Sequence, residues 1–156
     1  MALKADRLEL QTDISFFYND DATTRGGVVV HASTAGSGAA MDQGVNLVEE
    51  KAVVGSDTVV GILLNDVVNK DLTRTHLNFH KDEVQKGGKV TILRKGYVVT
   101  NKITGTPSAG DPAYACHVTD GNIRKDSPGS SGNLLVGRFL SSEDEDGYAK
   151  VEINVP

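Results

Sequence analysis

Tryptophan is absent from this 156-residue chain, which holds only four tyrosines, four phenylalanines and one cysteine. A single cysteine excludes an internal disulfide framework. With so few aromatics there is little on which to stack bases or sugars. Positive charge is not in excess either: 16 Lys and Arg against 21 Asp and Glu leave a net charge of −5. The basic residues are scattered rather than gathered in a stripe, so nucleic acid is not an expected partner. The longest apolar run, Val59 to Leu64 with Gly61 inside it, falls far short of the ~20 residues that a membrane helix needs. "MALKADRLEL" places charges where a signal peptide needs an apolar core. The expectation is a soluble chain made in a cytoplasm, with no membrane partner.

Seventeen glycines against four prolines indicate many turns, and the valine-rich segments indicate strands. A chain of this length buries roughly 68–70% of its unfolded surface and needs no metal or disulfide to fold. Near the start, Leu8, Leu10, Thr12, Ile14, Phe16 and Tyr18 alternate with polar residues, the period of a long, half-apolar strand. "VVVHA" (28–32) continues extended, and "STAGSGAAMDQG" (33–44) is a long loop. "VNLVEEKAVV" (45–54) fits a short helix or a strand equally. "TVVGILLNDVV" reads as a buried strand, and the polar stretch 69–88 as irregular. From Gly88 onward come "KVTILRKG", "YVVTNKI", "AYACHV", a turn at Asp120-Gly121, a second flexible loop "RKDSPGSSGN", and a closing hairpin. In that hairpin Val136–Leu140 leads to an Asp146-Gly147 turn, and Ala149, Val151, Ile153 and Val155 then alternate with Lys150, Glu152 and Asn154. The fold expected is all-β: a compact barrel or sandwich of short antiparallel strands with an extended N-terminal arm. The arm or leading strand spans 1–25 and the β-rich domain 26–156. "VGILL" and "VGRFL" share a Val-Gly pair, an echo that chance explains better than a true repeat; each glycine would sit where two backbones approach closely or where a strand bends.

Catalytic signals are thin. Cys116 and His117 are neighbours, so on a strand they point to opposite faces and cannot share a proton. Cys116 is expected to face inward with Tyr114 and Val118. His76 and His80 carry the spacing of a helical zinc pair but lack the acidic partner of His-Glu-x-x-His. The run Glu143-Asp144-Glu145-Asp146 offers oxygens in too short a loop for calcium and reads as a solvated tip. "AGSGAAM" lacks the third glycine of a phosphate-binding turn, and "SPGSSGN" does not fit Gly-x-Ser-x-Gly. No catalytic residue, metal site or cofactor is expected, and the chain reads as a non-enzyme.

"KGGKVTILRKGYVV", "AGDPAYA" and "VGRFLSSEDEDGYAKVEIN" together resemble the small decoration, or cement, proteins on the outer surface of tailed-bacteriophage capsids. The likeness covers residues 86–156; residues 1–85 share only its character. It implies a virion structural protein, a homotrimer seated where major capsid protein subunits meet, clamping them together. Its motifs are structural turns, so no binding residue carries over singly. The residues themselves suggest Leu8, Leu10, Ile14 and Phe16 as the contacts to the capsid or an adjacent subunit, by addition of an extended edge. The same alternation fits an ordinary first strand of the core. Two rivals are a receptor- or glycan-binding head fibre and a trimeric β-fold nucleotide hydrolase. The hydrolase needs a glycine-rich tail and a Pro-Arg-Ser-Gly segment, and this chain has neither.

Overall fold

A computed structural model describes residues 3–20, 25–32, 46–66, 86–126 and 134–156. Eleven strands form one mixed sheet: β1 (Leu8–Asp13), β2 (Phe17–Tyr18), β3 (Val28–His31), β4 (Leu47–Glu49), β5 (Val59–Asp66), β6 (Val90–Thr100), β7 (Ile103–Thr104), β8 (Pro112–Ala115), β9 (Ile123–Arg124), β10 (Leu135–Phe139) and β11 (Ala149–Asn154). Their order is β2-β4-β3-β5-β6-β11-β10-β8-β9-β7, with β1 paired to β6 off this path. The all-β expectation holds, but among the described residues the sheet does not close into a barrel. It is also not wholly antiparallel, since β2–β4 and β7–β9 run parallel. Its longest strand has 11 residues, well beyond the short strands expected.

The reason lies in β6. One of its edges is shared end to end, β5 pairing along Val90–Leu93 and β11 along Lys95–Thr100. Its other edge takes β1, from Asp13 opposite Ile92 to Leu8 opposite Tyr97. The sheet forks there into two wings instead of continuing to closure. The sequence suggests a break near Gly96, between "KVTILRKG" and "YVVTNKI", yet the strand runs straight through it. A Cβ at this position would lie 1.9 Å from the Leu8 carbonyl oxygen, so the glycine makes room for β1 and ends nothing. The two Val-Gly echoes do the same elsewhere. A Cβ at Gly61 would meet the Leu93 carbonyl oxygen at 2.3 Å, and one at Gly137 the Glu152 carbonyl oxygen at 1.8 Å.

The two wings differ in how they are covered, and their sequences show it. In the β10–β11 hairpin, Phe139, Val151 and Ile153 are buried while Arg138, Glu152 and Asn154 are exposed, the alternation of a sheet with one wet face. The β3–β5–β6 wing is apolar on both faces. Val28, Val30, Ile62, Leu64 and Leu93 join Phe139, Val151 and Ile153 in the main cluster. Val29, Leu63, Val90 and Ile92 form a second cluster with Tyr18, against which Phe16 packs. That double coverage explains the unbroken apolar run of β5. Backbone bonds join the wings away from β6: Val28 N–H donates to Gly121 O at 2.7 Å and Val53 N–H to Cys116 O at 2.9 Å. The ambiguous stretch near Leu47 is a strand, held by Val30 and His31 on one side and by Phe17 and Tyr18 on the other.

Candidate functional site

The N-terminal stretch is fixed at both ends and bare in the middle. At its start Leu3 is buried and bridges Thr100, and the Lys4 N–H donates to Val99 O at 2.8 Å. The Lys4 ammonium bonds Asp144 at 2.6 Å and sits 4.2 Å from the centre of the Tyr148 ring. Asp6 accepts from Tyr97 Oη at 3.3 Å and lies 3.6 Å from Lys150 Nζ. At the far end Tyr18 is fully buried. Its N–H donates to Gly88 O, and its carbonyl accepts from Gly87 N–H.

Between these anchors Leu8, Leu10 and Ile14 are 45%, 72% and 55% exposed. The sequence placed Leu8, Leu10, Ile14 and Phe16 on one apolar face with Tyr18, but the structure divides that face. Regular pairing ends at Asp13, whose carboxylate accepts from both the N–H and hydroxyl of Ser15 and turns the chain. Beyond this turn Phe16 packs against the second cluster, its ring edge-on to His31 at 5.4 Å, and Tyr18 enters the core. Burial works against the Asp13 carboxylate, but the Ser15 donors and nearby Arg94 outweigh it and hold its pKa below the usual range. Leu8 and Leu10 remain outside. With Tyr97, Leu140 and Ile153 they line an open cleft of about 370 Å³.

Cys116 is buried, as expected from its small apolar character, but Val118 is 67% exposed and does not join it. The chain turns after Cys116, whose sulfur accepts from the N–H groups of Val118 and Thr119 at 3.5 and 3.4 Å. Burial disfavours the thiolate, yet these donors, with Thr104 and Arg124, bring the thiol below its ordinary pKa. His117 Nδ1 lies 3.5 Å from Arg124 Nη1. The acidic turn is more than a solvated tip. Asp144 takes the Lys4 ammonium and accepts from the N–H groups of Asp146 and Tyr148, and these contacts hold its carboxyl below the usual range. Among the described residues no cluster of His, Cys, Asp or Glu is placed to hold a metal, and no helix is long and apolar enough to cross a membrane. His76, His80, "AGSGAAM" and "SPGSSGN" lie outside the described residues.

One buried polar residue was invisible in the sequence. The Glu50 side chain is 1% exposed and pairs through Oε2 with Lys102 Nζ at 3.0 Å. It lies between Gly27 and Gly121, where an added Cβ would come within 2.5 and 2.7 Å of its two oxygens. Oε1 has no hydrogen-bond partner among the described residues. Burial raises the Glu50 pKa, Lys102 opposes the rise, and Asp20 and Asp120 add to it. Nothing in "VEEKA" separates Glu50 from the half-buried Glu49. The pair is a junction where β4, the entry to β3 and the β8–β9 turn meet.

What stands out among the described residues is an exposed apolar edge on an open β-sheet. No curated protein matches the chain. Residues 10–154 match the family of structural cement proteins typified by E217 gp24 and Pam3 gp6, a span that takes in most of β1, the forked sheet and the closing hairpin. The protein is therefore a member of the phage structural cement family, with the capsid as its place of work.

Proposed function

We propose that this chain binds the outer surface of an assembled capsid as an oligomer, a homotrimer by the family resemblance. There it stabilises the shell by bridging neighbouring major capsid protein subunits. Leu8, Leu10 and Ile14 make the contact, Phe16 supports them from the core side, and the division into an arm (1–25) and a decoration domain (26–156) is part of the same reading. The chain does no bond-making in it. It is synthesised in the host cytoplasm and acts on the finished particle.

The observation that carries this proposal is the exposure of three large apolar side chains on a segment anchored at Leu3 and Tyr18. Large apolar side chains grouped on a surface mark interaction sites. Fully burying each is worth about 1.5–3 kcal/mol, and these start only half to three-quarters exposed, so one contact is modest. Multiplicity makes up the difference, because linked arms convert later binding events into intramolecular ones. A ligand that binds the shell but not its pieces stabilises it by about 2.7 kcal/mol per site at a hundredfold excess over Kd.

Deleting residues 1–18 would remove buried Leu3 and Tyr18 along with the exposed residues, so substitution is the cleaner test. A Leu8→Ser, Leu10→Ser, Ile14→Ser triple variant should keep its melting temperature and lose binding to undecorated capsids in cosedimentation. Undiminished binding by this variant refutes the proposal.

A further inference from the structure

The outer edge of β1 is unpaired among the described residues, since β1 pairs only with β6. We infer that this edge pairs with the same edge of a second copy, antiparallel across a two-fold axis through Leu10. The register follows from charge and pattern. A two-fold at Leu10 sets Leu10 opposite Leu10 of the second copy, Leu8 opposite Thr12, Glu9 opposite Gln11, and Arg7 opposite Asp13. Apolar residues then meet apolar or hydroxyl residues, no like charges are opposed, and one Arg–Asp pair closes each end. Opposite charges directly across strands are favourable and like charges are not. Moving the centre to Gln11 would oppose Glu9 to Asp13 twice, and moving it to Glu9 would oppose Glu9 to itself and set Arg7 against Gln11, leaving Asp13 without a cation across the axis.

The backbone suits this arrangement. The Leu8 carbonyl points at Gly96, so by strand alternation the neighbouring Glu9 turns its N–H and C=O outward. The β1–β6 register is irregular around Leu10 and Gln11, but the shifts on the two strands cancel, and Thr12 and Asp13 resume the pairing set by Leu8 and Glu9. Pairing thus resumes in one register on both sides of the irregularity, and the strand lacks the proline and lysine that commonly blunt edges. Arg7, immediately before β1, lies 2.6 Å from Glu9 of its own chain, which keeps its guanidinium beside this edge. This pairing deepens the capsid reading by naming a second copy as the occupant of the edge, so that decorations on adjacent sites would join one another as well as the shell.

The test is oxidative cross-linking of full-length variants, with native Cys116 buried. Opposed residues at the two-fold have Cβ atoms about 4.5–5.5 Å apart, near disulfide range. Leu10→Cys should form a covalent dimer, and Leu8→Cys, which faces Thr12, should form several-fold less. Adding Arg7→Asp or Asp13→Arg to the Leu10→Cys chain should each abolish the dimer. Mixing the two charge-reversed chains should restore it, since every end pair is then attractive. Equal cross-linking at Leu8 and Leu10, or no restoration on mixing, overturns the pairing. Capsid cosedimentation of the wild-type chain is scored separately: binding without cross-linking leaves the shell reading intact and removes this one, and cross-linking without binding does the reverse.

Discussion

Gly96→Ala tests how β1 is held. The substitution has two consequences, and the structure supplies a control that separates them. Gly96 has φ +144° and no room: an added Cβ lies 1.9 Å from the Leu8 carbonyl oxygen. Gly147 has φ +78° and open space around it. Alanine at Gly147 therefore meets backbone strain alone, about 1–2 kcal/mol. Alanine at Gly96 meets strain of about 1–3 kcal/mol and a collision that only displacement of β1 can relieve. Releasing β1 forfeits five registered pairs at roughly 0.5 kcal/mol per solvent-exposed hydrogen bond. Freed chain entropy returns part of that loss. The collision then adds about 1–2 kcal/mol, and Gly96→Ala should melt roughly 2–8 °C below Gly147→Ala, at 2–4 °C per kcal/mol for a chain of this size. Hydrogen exchange locates the damage: amides of residues 8–13 should lose protection while those of β10 and β11 keep theirs. Equal melting temperatures for the two variants, or protection lost uniformly through β10 and β11, would show that β1 is not a separately releasable edge.

Phe139 is fully buried where the main cluster meets the closing hairpin, so Phe139→Ala should cost about 3–5 kcal/mol. Against a total stability of about 5–15 kcal/mol that brings the urea midpoint sharply down, and an unchanged midpoint would contradict the packing described. Glu50 should give stability an unusual pH slope. Its folded-state pKa is raised by burial, against Lys102 and with Asp20 and Asp120, so its contribution is fully present below the ordinary carboxylate value and is lost as pH rises through the raised one. Glu50→Gln should remove that component from urea titrations on the acid side of neutrality, and an identical slope in wild type and variant would refute the assignment.

The parts of the fold that depend on local pattern were legible in the sequence. Alternation from Ala149 to Val155 gives a strand with one dry face, and the continuous run in β5 gives one with two. What escaped depends on residues distant in sequence. Gly96 looks like a breaker until the Leu8 carbonyl is placed against it. The apolar alternation from Leu8 to Tyr18 suggests one face, yet the turn at Asp13 and Ser15 sends Phe16 and Tyr18 inward and leaves Leu8, Leu10 and Ile14 outside. Closure into a barrel could not be judged from strand count, because the fork at β6 is a matter of which partners share an edge. Asp144 looks like one acid among four until Lys4 reaches it across the fold. Glu50 carried no signal, since a buried carboxylate is defined by neighbours from three separate segments. Leu8, Leu10 and Ile14 stood out in the sequence because apolar alternation is itself a local pattern, but their exposure depends on the turn at Asp13 and Ser15.

The position of β6 also governs the order in which the molecule can assemble. Its partners come from the beginning, the middle and the last stretch of the chain, so half of one edge stays open until Ala149–Asn154 has been made. Such distant pairings are slow to form, and during synthesis the nascent protein presents the Lys95–Thr100 half of β6 with one edge open. Pairing of the closing hairpin thus covers that open edge, and damage there should be felt as aggregation in the cell before it is felt as a weaker hold on the capsid.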